Sequence, residues 1–280
     1  MSEGGGVPRS LWHPRPVKEL KDGVAVVTGA AGGIGAAVAR KLTEEGMQVI
    51  LVDRDGAALE SLAATLPGSE AHPLDVGDAA AFERLAGRIR ARGGFDLLVS
   101  NAGINVHGAF LDQSIEDLDR IVRVNLMGVL YGCRLLVPEL RRGGHVVNVS
   151  SLAGRVPFPY QSTYCATKFA VRGFTAALRM ELAPRGIGVT AVLPGTVATR
   201  LLETATTYDA TAASKMASLM LAYGMPPARV AEEIVRAIRG DVAEVMIGWD
   251  AKLTTAASSL APGLVSGALS RGFRWRASKA

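Results

Sequence analysis

The stretch Val24-Ala25-Val26-Val27-Thr28-Gly29-Ala30-Ala31-Gly32-Gly33-Ile34-Gly35 decides the architecture of this chain. Four apolar, mostly β-branched residues read as a buried strand, and the glycines after them as a tight turn. Ile34, Val38 and Leu42 then recur on one helical face until Gly46 closes the helix. A strand, a glycine turn and a helix in that order aim backbone N–H groups and the positive helix end at one point, a seat for a pyrophosphate. The pattern calls for an acidic residue about twenty positions on. Asp53 meets it, at the end of a second strand over 49–52. Its carboxylate suits a ribose 2′-hydroxyl and repels a 2′-phosphate, so NAD is favoured over NADP. Arg54 beside it is the residue that would serve NADP.

Working outward, the alternation persists. Helices are expected over 57–66, through Phe82, Leu85 and Ile89, over 118–140, 162–183 and 230–239. Strands are expected over 71–74, 97–100, 145–149, 189–193 and 244–247. Such alternation predicts a single-domain α/β fold. It is a Rossmann-like, doubly wound parallel sheet of about seven strands with helices on both faces. Residues 21–250 form that domain, with 1–20 a flexible extension rich in Gly and Pro. Segment 201–225, rich in Ala, Thr and Met without strong periodicity, reads as a mobile lid.

Composition excludes several classes. With 49% apolar and 20% charged residues the chain is an ordinary globular protein. Two cysteines, Cys133 and Cys165, suggest no disulfide framework and a reducing, cytoplasmic setting. The net charge of +5 raises nucleic acid or anionic lipid as partners. The basic residues are scattered, however, except for Arg271, Arg274, Arg276 and Lys279, so no nucleic-acid partner is expected. The first 21 residues lack the apolar core of a signal peptide, and no apolar run reaches spanning length. His13, His72, His107 and His145 have no second ligand at metal spacing, so no metal site is expected.

Tyr164 and Lys168, four apart, share a helix face, and an ammonium beside a phenol favours the phenolate. Asn148-Val149-Ser150-Ser151 ends a strand thirteen residues earlier, where ligands of doubly wound sheets bind. With these elements the chain resembles the classical short-chain dehydrogenase/reductase family over roughly residues 21–248. Thr28-Gly29-x-x-x-Gly33-x-Gly35 is similar to its cofactor signature, with Ala31, Gly32 and Ile34 inside it. Asp75, followed by Val76, resembles its adenine-contacting aspartate, and Asn101-Ala102-Gly103 its central-strand motif. Ser100 departs from the second asparagine the family often carries there. Pro194-Gly195, Val197 and Thr199 resemble the segment that embraces the nicotinamide.

The resemblance implies hydride transfer between nicotinamide and a secondary alcohol or ketone. In it Tyr164 would move the proton, Lys168 would hold the ribose and lower the tyrosine pKa, and Ser151 would polarise the substrate oxygen. Asn125 would kink the long helix and hold a relay water, and a homotetramer or homodimer would form through the helices following Ile115 and Tyr164. Ser150 is the rival for the serine role, and Ser151 has the spacing the family shows. An NADPH-dependent 3-ketoacyl-type reductase and a non-catalytic dinucleotide sensor are the alternatives. His107 follows the Asn-Ala-Gly motif and is a substrate-facing candidate, though an exposed loop histidine is the favoured reading. Cys165 reads as a packed thiol. In the basic tail, 251–280, Leu253, Ala257, Leu260, Leu264 and Ala268 recur at helical spacing around Pro262, near Phe273 and Trp275. Packing against the domain or another subunit is favoured there over a membrane contact.

Overall fold

The computed structural model describes residues 19–199, 201, 205–208, 210–263, 265, 267 and 270. Most of the expected extension, His13, Leu264, Ala268 and the basic residues from Arg271 onward lie outside these. At the centre is β1 (Val24–Thr28), buried along its whole length because both its faces are apolar. β2 (Gln48–Asp53) and β4 (Phe95–Ser100) flank it in parallel. β3 (Glu70–Pro73), β6 (Leu140–Val149), β7 (Gly188–Pro194) and β9 (Glu244–Ile247) complete a seven-stranded sheet, ordered β3-β2-β1-β4-β6-β7-β9. All its pairings are parallel. A separate parallel pair joins β5 (Val106–His107) to β8 (Thr206–Thr207).

Alternate residues of the central strands feed two cores, as a period of two requires. Ala25, Val27, Val49 and Leu51 meet α1 (Gly33–Glu44), α2 (Gly56–Ala63) and α8 (Pro227–Arg239) on one face. Val24, Val26, Ile50 and Val52 meet α3 (Ala79–Ala91), α5 (Gly128–Leu136) and α6 (Ser162–Leu182) on the other. Asp55 and Asp78 cap α2 and α3 through Ala58 N and Ala80 N. The order in which strands are added reverses between β1 and β4, and there Asn101 ties the two strand ends together. Its amide donates to Thr28 O (3.0 Å) and Gly29 O (3.2 Å), and its backbone N–H to Thr28 Oγ1 (3.0 Å).

Five expectations change. The helix expected over 118–140 is α4 (Ile115–Val122), a π turn (Arg123–Met127), α5, and a 3-10 turn (Val137–Glu139). Read as one element, 115–139 is long and apolar enough to cross a membrane, with an 18-residue window of mean hydropathy 1.4, contrary to the sequence reading. Its buried Ile121, Val129, Cys133 and Leu136 pack into the protein instead. The segment expected as an aperiodic lid contains β8 and a helix, α7 (Ala210–Tyr223). Alanine, serine and threonine around that helix leave no apolar stripe to read. His107 is not an exposed loop histidine. It is 5% exposed, sits on β5 and stacks on Tyr160 with ring centroids 6.2 Å apart. Finally, α9 (Trp249–Leu260) has the expected period but turns Leu253, Ala257 and Leu260 outward, not into the domain.

Candidate active site

The carboxyl ends of the sheet strands gather most of the residues singled out from sequence. The turn after β1 enters α1 through Gly32, an N-cap with no side-chain hydrogen bond, and α1 has no acidic residue in its first turn. Its leading N–H groups are therefore left to a ligand of negative charge. A Cβ at Gly29 would lie 2.8 Å from Ala102 Cα, and one at Gly35 would lie 2.0 Å from Gly29 O. Those two glycines let the turn fold back on itself. A Cβ at Gly32 would meet nothing within 4 Å, so the backbone there borders open space. Gly33 adopts a φ of +55°, and Thr199 Cγ2 lies 3.3 Å from where its Cβ would be. The glycine turn and the 194–199 segment thus approach each other across one cleft.

Asp53 Oδ2 accepts from Ala31 N (3.1 Å), which holds the carboxylate against the glycine turn. Arg54 points into solvent. Asp75 Oδ1 accepts from Gly77 N (2.8 Å), and Val76 is buried against Gly128. Gly195 N donates to Ile247 O, while Val197 bridges to Met225. Uncapped helix N-terminus, open glycine face and a carboxylate at the β2 end fit the diphosphate and ribose of a dinucleotide.

α6 carries the candidate chemistry on its first two turns. Tyr164 and Lys168 are both buried, with Lys168 Nζ 5.7 Å from the Tyr164 ring centroid. Burial pushes the Tyr164 phenol up to about 12, and a hydrogen bond with Ser151 works against that rise. Burial draws the Lys168 ammonium down to about 8. Desolvation, not the neighbouring ammonium, therefore sets the direction of the tyrosine shift. Lys168 Nζ donates to Val149 O at 3.0 Å.

Ser151, half-buried at the end of β6, accepts from Ala153 N through Oγ (3.1 Å) and opens a 3-10 turn, Leu152–Gly154. Its rival Ser150 is buried and donates through Oγ to Lys168 O (2.8 Å), so it braces the helix instead of facing the cleft. Asn125 lies in the π turn, fully buried. Its Oδ1 accepts from Ile104 N (2.8 Å) and its Nδ2 donates to Ile104 O (2.9 Å) and Thr167 Oγ1 (3.3 Å). Gly103 sits between the two polar groups: a Cβ there would lie 3.4 Å from Asn125 Oδ1 and 3.5 Å from Lys168 Nζ. Cys165 packs beside Phe158, whose N–H donates to its Sγ (3.4 Å).

Sequence reasoning missed two supports. Gly154 lets the Ser151 turn touch α6, since a Cβ there would fall 2.4 Å from Ser150 Oγ and 2.7 Å from Lys168 O. Asp250, on the first turn of α9, accepts from Thr196 N (2.7 Å) and so anchors the 194–199 segment. A glycine three places after Ser151 was a visible signal, whereas Asp250 lies 54 residues from its partner and left none.

The family model for short chain dehydrogenases matches residues 23–210. A probable oxidoreductase, EphD, of Mycobacterium tuberculosis is 41% identical over 198 residues. That match covers 68% of this chain and 33% of the relative, so the chain matches about a third of that longer protein. Dehydrogenase/reductase SDR family member 7B of Bos taurus is 33% identical over 275 residues, covering 93% of this chain and 82% of its own. Among solved structures, a short chain dehydrogenase/reductase from Burkholderia phymatum in complex with NAD superposes with a TM-score of 0.76. It is 29% identical and covers 81% of this chain and 89% of its own.

Proposed function

Because the chain belongs to the short-chain dehydrogenase/reductase family of oxidoreductases, we propose that it interconverts a secondary alcohol and a ketone of apolar character, using NAD in preference to NADP. The observation that carries this reading is Tyr164 and Lys168 buried together on one face of α6, with Ser151 on the turn packed against that helix, beside an uncapped glycine turn. When bound, a nicotinamide dinucleotide would supply the hydride chemistry, and the protein's residues would do the rest.

Tyr164, with its phenol held near 12, is protonated at neutral pH and donates from its hydroxyl to a carbonyl oxygen. In the reverse direction the base is the phenolate, formed once the phenol proton has passed to neutral Lys168 and on to solvent, and it takes the proton of the alcohol. Ser151 holds the same oxygen and polarises it. Lys168, drawn to about 8, exchanges protons close to neutral pH and is suited to hold the ribose and refill the tyrosine. The Asn125 side chain is occupied by Ile104 and Thr167, so a relay water would rest on its main-chain carbonyl in the π turn. Asp53, the glycine turn, Asp75, Asn101 and the 194–199 segment would hold the dinucleotide, and the negative charge of Asp53 favours NAD. His107, stacked on Tyr160 beside β8, lines the substrate side.

Exposed apolar residues on the outer faces of α4 (Ile115, Val122) and α6 (Phe169, Met180) support a dimer or tetramer through those helices. Two free, buried thiols fit a reducing compartment such as the cytoplasm. The test is a panel of alcohols and ketones followed by nicotinamide absorbance, with NAD(H) and NADP(H) in parallel. Turnover of apolar secondary alcohols with NAD is expected. A preference for NADPH with 3-ketoacyl substrates would replace this reading with the ketoacyl reductase, and binding without turnover would point to a sensor.

A further inference from the structure

Helix α9 is amphipathic the wrong way round for a surface helix. At 100° per residue, Trp249, Leu253, Ala256 and Leu260 fall within an arc of about 60°. That arc faces outward: Trp249 is 77% exposed, Leu253 62% and Leu260 87%. The opposite arc, turned toward the protein, is Ala251, Thr254, Thr255 and Ser258. A helix resting on its own domain buries its large apolar residues and exposes its small polar ones. Here the order is reversed, so the stripe is unsatisfied until something covers it.

The charge distribution says what covers it. Residues 251–280 contain Lys252, Arg271, Arg274, Arg276 and Lys279 and no Asp or Glu. The other 26 basic residues balance all 26 acidic ones, so this segment alone accounts for the net charge of +5. Phe273 and Trp275 are interleaved with its arginines. Aromatic and aliphatic residues on one helical stripe, followed in sequence by unopposed cations, match the two attractions of an anionic bilayer surface. A second exposed aromatic, Tyr223, stands at the end of α7. Tyrosine and tryptophan are the side chains that sit best at headgroup depth.

We propose that the outer face of α9, with the basic residues that follow it, docks this protein onto a membrane surface bearing anionic phospholipid. The face adjoins the candidate site through Asp250, which stands on the inner side of the same helix start and holds Thr196.

The experiment is flotation of the full chain with vesicles of phosphatidylcholine alone or mixed with phosphatidylglycerol. The protein is expected to float with the mixed vesicles and to stay behind with the neutral ones. Leu253→Asn/Leu260→Asn, and separately Arg271→Gln/Arg274→Gln/Arg276→Gln, are expected to lower the floated fraction roughly tenfold or more. Raised salt should weaken the wild type in the same direction. Dinucleotide binding and oligomeric mass should stay unchanged in both variants, which separates a docking defect from misfolding. The proposal is overturned if the wild type stays behind with both vesicles or if the variants float as it does. It is equally overturned if the leucine variant alters the oligomeric mass, because a second copy then covers the stripe.

Discussion

Helix α6 turns two titratable side chains, Tyr164 and Lys168, into the protein, whereas helix α9 turns Trp249, Leu253 and Leu260 out of it. Both helices follow the same period, and in both the usual sorting of apolar inside and polar outside is broken. In α6 the breach is compensated on the spot, by Val149 O beneath Lys168 and Ser151 beside Tyr164. In α9 nothing among the described residues compensates the exposed leucines. The difference teaches that a helical stripe fixes which residues share a face, while the surroundings fix whether that face is a core, a site or a contact.

The largest effect is expected where α6 meets chemistry. Tyr164→Phe removes the transferable proton and keeps the ring, so turnover should fall about 10²–10⁴-fold. Dinucleotide affinity, read by fluorescence titration, should stay near wild type. Wild-type turnover in the variant would mean that burial of Tyr164 is only packing, and α6 would lose its side of the comparison.

Next comes the buried ammonium. Lys168 titrates at about 8 in the folded protein against 10.5 ordinarily, so the folded state binds fewer protons between those values. Stability should therefore rise with pH across that window, by about 3 kcal/mol if fully developed. It is lost again as pH falls through 8. Ionisation of tyrosine in the unfolded chain, near 10, opposes the last part of the rise because Tyr164 stays protonated to about 12 when folded. Urea midpoints measured from pH 7 to pH 10 should show the increase, and Lys168→Met should flatten it. A flat wild-type profile would mean that Lys168 is better solvated than its burial implies.

Gly154→Ala sharpens the same point through packing. Its new methyl would press on Ser150 Oγ and Lys168 O, so a loss of about 1–3 kcal/mol is expected. Turnover should fall while dinucleotide affinity holds, because the Ser151 turn moves and the glycine turn does not. Adding Ser150→Ala should rescue little, since the Lys168 carbonyl remains 2.7 Å from that methyl position. Full rescue would show that the hydroxyl, not the helix backbone, sets the distance.

What the sequence made legible follows from range. The strand at Val24, the glycine turn and Asp53 are read within thirty residues of one another, and their geometry is local. Ser151, Tyr164 and Lys168 were legible as a set because one strand end and one helix start carry them. The kink at Asn125 came only with the family resemblance and not from periodicity, since the one extra residue of its π turn leaves apolar spacing almost intact. His107 was misread because a two-residue strand is too short to show a period, and its partner β8 lies about a hundred residues away. The stripe of α9 was seen, but periodicity carries no sign for inward or outward.

That sign can be tested by the smallest effect of all. Leu253 is 62% exposed and has no core around it, so Leu253→Ser should leave the unfolding free energy within about 0.5 kcal/mol of wild type. A buried leucine of β1's neighbours, such as Leu51 on β2, would lose several times more on truncation. Thermal unfolding without lipid therefore discriminates between an uncovered face and a face covered by this chain's own residues. A drop of about 2 kcal/mol or more at Leu253 would mean that the chain packs on the stripe, and α9 would then sort its residues as an ordinary helix does.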